Sequence, residues 1–220
     1  MAIDLRSLLD PATTAVVTQE LQKGVFGEQP IFPQLAEAAR LEMIPNAARL
    51  LKAARAADVA VVHAIAARRR DGVGYNANAR LFGAARKSGV VLEPGTPATE
   101  VIDELDPQPS DLTSVRMHGI GPFWGTDLDP ILRNLGVRTV VAIGASVNVG
   151  VTNLIMDAVN AGYQVVMPRD AVAGIPKEYA DAVIDNTLAL LATVTTTDEI
   201  IEVWTTADAR SAAASGSERS

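Results

Sequence analysis

The sequence predicts an α/β fold: one parallel sheet with helices on both faces. Three observations carry this. First, short apolar runs rich in Val, Ile and Ala alternate along the chain with segments whose apolar residues recur every three or four positions. Second, residues 136–171, GVRTVVAIGASVNVGVTNLIMDAVNAGYQVVMPRDA, hold a strand, a Gly-rich turn, a helix and a strand in the length of one parallel crossover unit. Third, there is no internal repeat, so the alternation belongs to one domain, expected over 13–206. An entry segment, 1–12, precedes it, and an Ala- and Ser-rich tail, 207–220, is expected to be disordered. Right-handed crossovers then gather the carboxyl ends of the strands on one rim, where α/β proteins bind their ligands.

The elements follow in order. Ala15 to Val17 begin the first buried strand, which ends at Glu20-Leu21-Gln22. Ile44 to Ala57 reads as an amphipathic helix, closed by Asp58. Val59 to Val62 is the second strand, ending at His63. The segment from Ala66 to Gly89 is long and partly basic, which suits a lid or binding loop, with Arg68-Arg69-Arg70 as a solvated face. Thr99 to Leu105 is a short helix and Leu112 to Arg116 the third strand. Thr126 caps a helix from Asp127 to Leu135 that stops at Gly136. Thr139 to Ile143 and Tyr163 to Met167 are the strands of the crossover unit, flanking a helix from Val151 to Ala161. A helix from Glu178 to Ala192, a strand at Thr193 to Thr195 and a helix from Thr197 to Trp204 close the domain.

Composition excludes several functions. There is no cysteine, so disulfides, thiolate metal sites and cysteine nucleophiles are ruled out. A net charge of −7 argues against nucleic-acid binding, which needs a basic face. No apolar run approaches the roughly 18 residues of a membrane span, and the opening MAIDLRSLLD lacks a basic region before an apolar block. A cytoplasmic protein acting on a small molecule, without nucleic-acid or membrane partners, is the expectation.

The strand ends supply the candidate site: Glu20, Gln22, His63, Met117, His118 and the turn from Gly144 to Gly150. Both histidines of the chain fall among them. They suit either a Glu–His acid/base pair or histidines that cap their strands by ordinary hydrogen bonds. A metal site is not expected, because no His-x-His or His-x₃-His spacing supports one. Tyr75, Phe82, Phe123 and Trp124 are candidates for the wall of an apolar pocket.

Taken together, Glu20-Leu21-Gln22, Phe123-Trp124-Gly125-Thr126-Asp127-Leu128 and Gly144-Ala145-Ser146-Val147-Asn148-Val149-Gly150-Val151 resemble the isochorismatase-like (cysteine hydrolase) superfamily. Asp157-Ala158-Val159, Gly162-Tyr163-Gln164-Val165-Val166 and Asp170-Ala171 extend the resemblance, which runs from about Ala15 to Trp204. It implies a three-layer α/β/α domain with a six-stranded parallel sheet, no cofactor, and a homodimer or homotetramer. Amidases of that superfamily use an aspartate, a lysine and a cysteine. Residue by residue these fall on Glu20, Met117 and Gly150, so this chain lacks the triad. The resemblance also implies a cis peptide at Ser146-Val147 beside an oxyanion site. With Met117 in place of a cation, Glu20 would be the general acid/base, assisted by His63 or His118. Gln22, Met117, Ser146, Val147, Gly150, Phe123 and Trp124 would bind the substrate. Two functions stay open on these residues: cysteine-independent hydrolysis of a vinyl ether or a C–N bond, and a catalytically inactive binder or oligomeric partner.

Overall fold

The computed structural model describes residues 4–206. Its strands are β1 Thr14–Gln19, β2 Ala60–Ala66, β3 Leu112–Arg116, β4 Thr139–Ala145, β5 Gln164–Pro168, β6 Val172–Ala173 and β7 Thr193–Thr195. Six of them form a parallel sheet in the order β3-β2-β1-β4-β5-β7, and the two-residue β6 pairs with the end of β4. The sheet has the parallel, helix-covered form that the alternation predicts. In β1 all six residues are buried, as a central parallel strand covered on both faces requires.

Helices α1 Leu5–Leu8, α2 Lys23–Phe26, α3 Pro33–Leu41, α4 Met43–Ala56, α5 Arg80–Lys87, α6 Leu128–Asn134, α7 Thr152–Asn160 and α8 Lys177–Asn186 complete the fold, with helical residues 197–206 after β7. The period-two alternation of strands divides the core into two layers. On one face Val16, Val141 and Ile143 pack against Leu35, Leu50 and Leu51 of α3 and α4, and against Ile200 and Trp204. On the other face Val17, Val140 and Ala142 meet Leu132 of α6, Leu154 and Ile155 of α7, and Ile184 of α8. Trp204 is buried, and its indole N–H donates to the Leu9 carbonyl at 3.0 Å, which ties residues 197–206 back to the chain start.

Several boundaries differ from the sequence reading. β2 continues through His63 to Ala66, so His63 is a mid-strand residue. Residues 99–105 are not a helix. They carry two 3₁₀ turns, Pro97–Thr99 and Asp103–Leu105, because the intervening backbone bonds elsewhere: Lys23 N–H donates to Glu100 O (2.8 Å) and Ile102 N–H to Leu21 O (3.1 Å). The helix expected over 178–192 ends at Asn186 and gives way to a 3₁₀ turn at Leu188–Leu190. α3 and α5 were not foreseen. α5 lies inside the long segment after β2 and turns it into a structured cover. The tail 207–220 lies outside the described residues.

Candidate functional site

β1 ends in a sharp change of direction. Glu20 adopts φ 56°, a left-handed conformation that costs a non-glycine residue of the order of 1 kcal/mol and recurs where a side chain must be aimed. The turn is fixed from both sides, Glu20 N–H donating to Ala64 O (2.9 Å) and Gln22 N–H to Glu20 O (2.8 Å). The result is a carboxylate on the wall of a cavity of ≈ 260 Å³.

Two donors converge on one oxygen of that carboxylate. Arg116 Nη2 forms an ion pair with Glu20 Oε1, and Gln19 Nε2 donates to the same atom at 3.1 Å. The side chains of Arg116 and Glu20 are 9% and 24% exposed, so the pair is screened by protein more than by water. A second guanidinium nitrogen of Arg116 donates to Gly119 O, which fixes the side chain at two points. The sequence reading placed Met117 opposite Glu20; the structure places Arg116 there instead. In β3 the polar residues Ser114 and Arg116 point inward, while Leu112, Val115 and Met117 are exposed. The expectation of a Glu20 without a cation therefore falls.

The opposite wall is the turn between β4 and α7. It is a single wide turn, Val147–Val151, in which Val151 N–H reaches back five residues to Ser146 O at 2.9 Å; such turns recur at functional sites. Ser146, Asn148, Val149 and Gly150 face the cavity. Asn148 holds the turn to the chain after β6, giving Nδ2–H to Ile175 O (2.7 Å) and taking Ile175 N–H (3.1 Å). The cis peptide lies between Ala145 and Ser146, one residue earlier than the resemblance implied.

Gly150 has no room for a side chain. A Cβ there would lie 2.9 Å from Ala145 O and 3.2 Å from both Cγ and Nε2 of Gln19. The amide of Gln19, which is 1% exposed, thus fills the space beside Gly150. Its Oε1 is buried with no hydrogen-bond partner among the described residues.

Of the sequence-predicted site residues, Glu20, Ser146 and Gly150 line the cavity together, with Tyr75 and Phe82 on its roof. The rest lie elsewhere. Gln22 is fully buried and structural: its amide donates to Ala66 O (2.9 Å) and Ala98 O (3.0 Å) and accepts from Ala66 N–H (2.7 Å). Val147 is buried in the helix-side core. Phe123 packs on the Tyr163 ring, 6.1 Å between centroids, and Trp124 is 85% exposed, away from the cavity lining. His118 and Met117 are exposed outside it.

His63 belongs to a different network. Its Nδ1 meets Thr18 Oγ1 at 2.9 Å and its Nε2 meets Asp111 Oδ2 at 3.2 Å. Asp111 in turn takes two hydrogen bonds from Arg55 (3.1 and 2.7 Å) and one from Gln108 N–H. Burial pushes the His63 pKa below its ordinary value, against the upward pull of Asp111. Burial also pushes the Asp111 carboxyl upward, but the bonds from Arg55, Gln108 N–H and His63 outweigh it and hold the group below its usual range. This network pins the start of β3 to α4.

Sequence reasoning missed Arg116 and Gln19. The one available signal was the order of residues in β3, where a charged residue and a serine share one face.

Residues 14–199 match the isochorismatase domain. The chain is 31% identical over 177 residues to the ureidoacrylate amidohydrolase RutB of Rhizobium rhizogenes, covering 74% of this chain and 71% of that protein. Among solved structures it is similar to a cysteine hydrolase from Pseudomonas syringae pv. phaseolicola, with a TM-score of 0.76 and 29% identity over 94% of this chain and all of that one. The N-carbamoylsarcosine amidase of Thermoplasma acidophilum shares the fold, with a TM-score of 0.67 at 24% identity, over 84% of this chain and 97% of that one. With the domain match spanning nearly the whole parallel sheet and its helices, the chain belongs to the isochorismatase family of hydrolases.

Proposed function

We propose that this protein hydrolyses a C–N bond in a small molecule without a protein nucleophile, with Glu20 as the general base. The observation that carries the reading is the pair of donors on Glu20 Oε1: Arg116 and Gln19 both donate to it, so the carboxylate is held as a hydrogen-bond acceptor on the cavity wall. An acceptor suits activation of water better than protonation of a vinyl ether, which needs an acid. The amidohydrolase activity named for the Rhizobium relative supports the same bond class.

In this reaction the water oxygen bonds to the substrate carbonyl carbon while Glu20 takes the water proton. The carbonyl electron pair moves onto oxygen, where the turn 146–150 and the Arg116 guanidinium offer N–H groups and positive charge. Collapse of the tetrahedral species breaks the C–N bond, and the proton passes from Glu20 to the leaving nitrogen. The products are a carboxylic acid and an amine. A panel of small amides and ureido compounds, assayed for amine release with wild type and Glu20→Gln, tests the reading. Glu20→Gln should lose roughly 10²–10⁴-fold in kcat with its fold intact; an unchanged rate refutes the role.

A second reading, an inactive binder, is favoured by the occupation of the space beside Gly150 by Gln19. It predicts ligand binding with no product from any member of the panel.

A further inference from the structure

The cavity has two chemically different ends. Away from the Glu20–Arg116 pair and the turn carrying Ser146 and Asn148 its walls are mostly apolar, with Ile31, Phe32 and Leu35 on one side and Phe82, Leu92 and Ile120 on others. A small polar amide would leave most of that surface unmatched, so an apolar body is needed to fill it. The mouth is basic. Arg68 and Tyr75 border both the apolar cavity and an adjoining basin whose other walls include Arg69, Arg70 and Arg86.

The four arginines of that basin are not equivalent. Arg69 is paired with Asp71 (2.6 Å) and Arg70 with Glu93 (3.0 Å). Among the described residues Arg68 and Arg86 form no ion pair. Arg68 is half-buried, with its guanidinium 5.6 Å from the centroid of the Tyr75 ring and one nitrogen donating to Val90 O at 2.7 Å. That leaves an oriented cation at the junction of basin and cavity, and a second, exposed one beside it, in a chain of net charge −7. Two unpaired guanidiniums next to an apolar chamber suit a carboxylate or phosphate carried on an apolar chain.

We propose that the substrate is an apolar-bodied anion: its anionic group rests on Arg68 and Arg86 at the mouth, its hydrocarbon body fills the chamber, and its reacting carbonyl meets Glu20. The last clause rests on the hydrolase reading above; the first two do not. Arg68 fixes one end of the ligand and the apolar walls fix its length, so a neutral molecule of the same shape lacks one anchor.

The test measures binding by calorimetry, using monoamides of straight-chain dicarboxylic acids and neutral alkyl amides of matching length, on wild type, Arg86→Ala and Arg68→Ala/Arg86→Ala. The expected result is a preference of roughly tenfold or more for the monoamide, rising with chain length and shrinking with added salt. The preference should fall to within about threefold in the double variant, while neutral amides bind as before. Arg86→Ala, whose side chain makes no hydrogen bond or ion pair among the described residues, should give an intermediate loss and guards against a distorted cover in the double variant. Equal binding of neutral and anionic probes, a preference that survives the double substitution, or no binding by any probe overturns the proposal. Binding with the stated preference but no amine release keeps it and counts against the hydrolase reading; turnover without anion preference does the reverse.

Discussion

Substitution of Gly150 tests whether the site is built around the missing side chain. In Gly150→Ala the new Cβ meets Ala145 O at 2.9 Å and Cγ and Nε2 of Gln19 at 3.2 Å. The first neighbour is backbone at the end of a central strand and cannot swing away; the second is a buried side chain tied to Glu20. Overpacking of this kind costs about 1–3 kcal/mol. Alanine regains up to about 1 kcal/mol at the entrance to a helix, so from the middle of that range, about 2 kcal/mol, a net loss of about 1–2 kcal/mol remains. At roughly 2–4 °C per kcal/mol for a domain of this size, Tm should fall by about 2–8 °C. The informative assay is a double-mutant cycle with Gln19→Ala, in thermal and urea unfolding. Removing the Gln19 side chain takes away two of the three close contacts, so the cost of Gly150→Ala should fall by about half or more in that background. Additive effects of the two substitutions, or a Gly150→Ala protein as stable as wild type, would refute the claim that Gln19 occupies the space beside position 150. Gly150→Cys should be still less stable and gain no amidase activity unless Gln19 is also shortened.

Other consequences are as direct. Arg116→Ala leaves Glu20 on the cavity wall without its cation; because Glu20 is a quarter exposed, the cost should be about 1–3 kcal/mol rather than the full penalty of a buried pair, and amine release should drop with it. Asp111→Asn strips Arg55 and His63 of a partner that is 4% exposed, and should cost about 3 kcal/mol in urea unfolding with little effect on ligand binding. His63, held below its ordinary pKa by burial, takes up a proton at lower pH in the folded chain than in the unfolded one, where it does so near 6.5. Its contribution to stability is therefore complete above pH 6.5 and is lost as pH falls below it; a urea midpoint that is flat from about pH 7.5 to 5.5 would contradict this. Tyr163, pushed up to about 12 by burial and by the Asp129 carboxylate that accepts a hydrogen bond from its hydroxyl (2.8 Å), should appear as a late step in an ultraviolet titration that Tyr163→Phe removes.

The parts of this molecule legible in its sequence are those governed by local period and by turn chemistry. The alternation of apolar runs and helix-periodic segments led to the parallel sheet, and the Gly-rich stretch after β4 led to the cavity wall, because both signals lie within a few residues of what they specify. The site was legible only at Glu20, Ser146 and Gly150, and at Tyr75 and Phe82 on the roof. His63 was misread because β2 runs past it: His63-Ala64-Ile65-Ala66 continues the strand, and a histidine within a buried strand is tolerated only through Thr18 and Asp111, which are distant in sequence. Arg116 was misread for a different reason. β3 is an edge strand, and its alternation runs opposite to hydrophobicity, with Ser114 and Arg116 inward and Val115 and Met117 outward. Inward charge on an edge strand is one way a sheet resists pairing with another chain, and here the same residue serves the cavity.

Gly150, Gln19, Glu20 and Arg116 act as one unit. Glycine at position 150 opens a space beside the cradle; Gln19 enters it; the Gln19 amide then donates to Glu20, and Arg116 reaches the same carboxylate oxygen from β3. Each of these residues fits only with the others in place. A cysteine at 150 would collide with Gln19, and a smaller residue at 19 would free one of the two donors' places on Glu20. Loss of Arg116 would leave Glu20 facing an apolar chamber. The space beside position 150 holds a side chain bonded to the cavity carboxylate, so a thiol placed there would displace a donor of Glu20, and the proposed activity rests on that carboxylate instead.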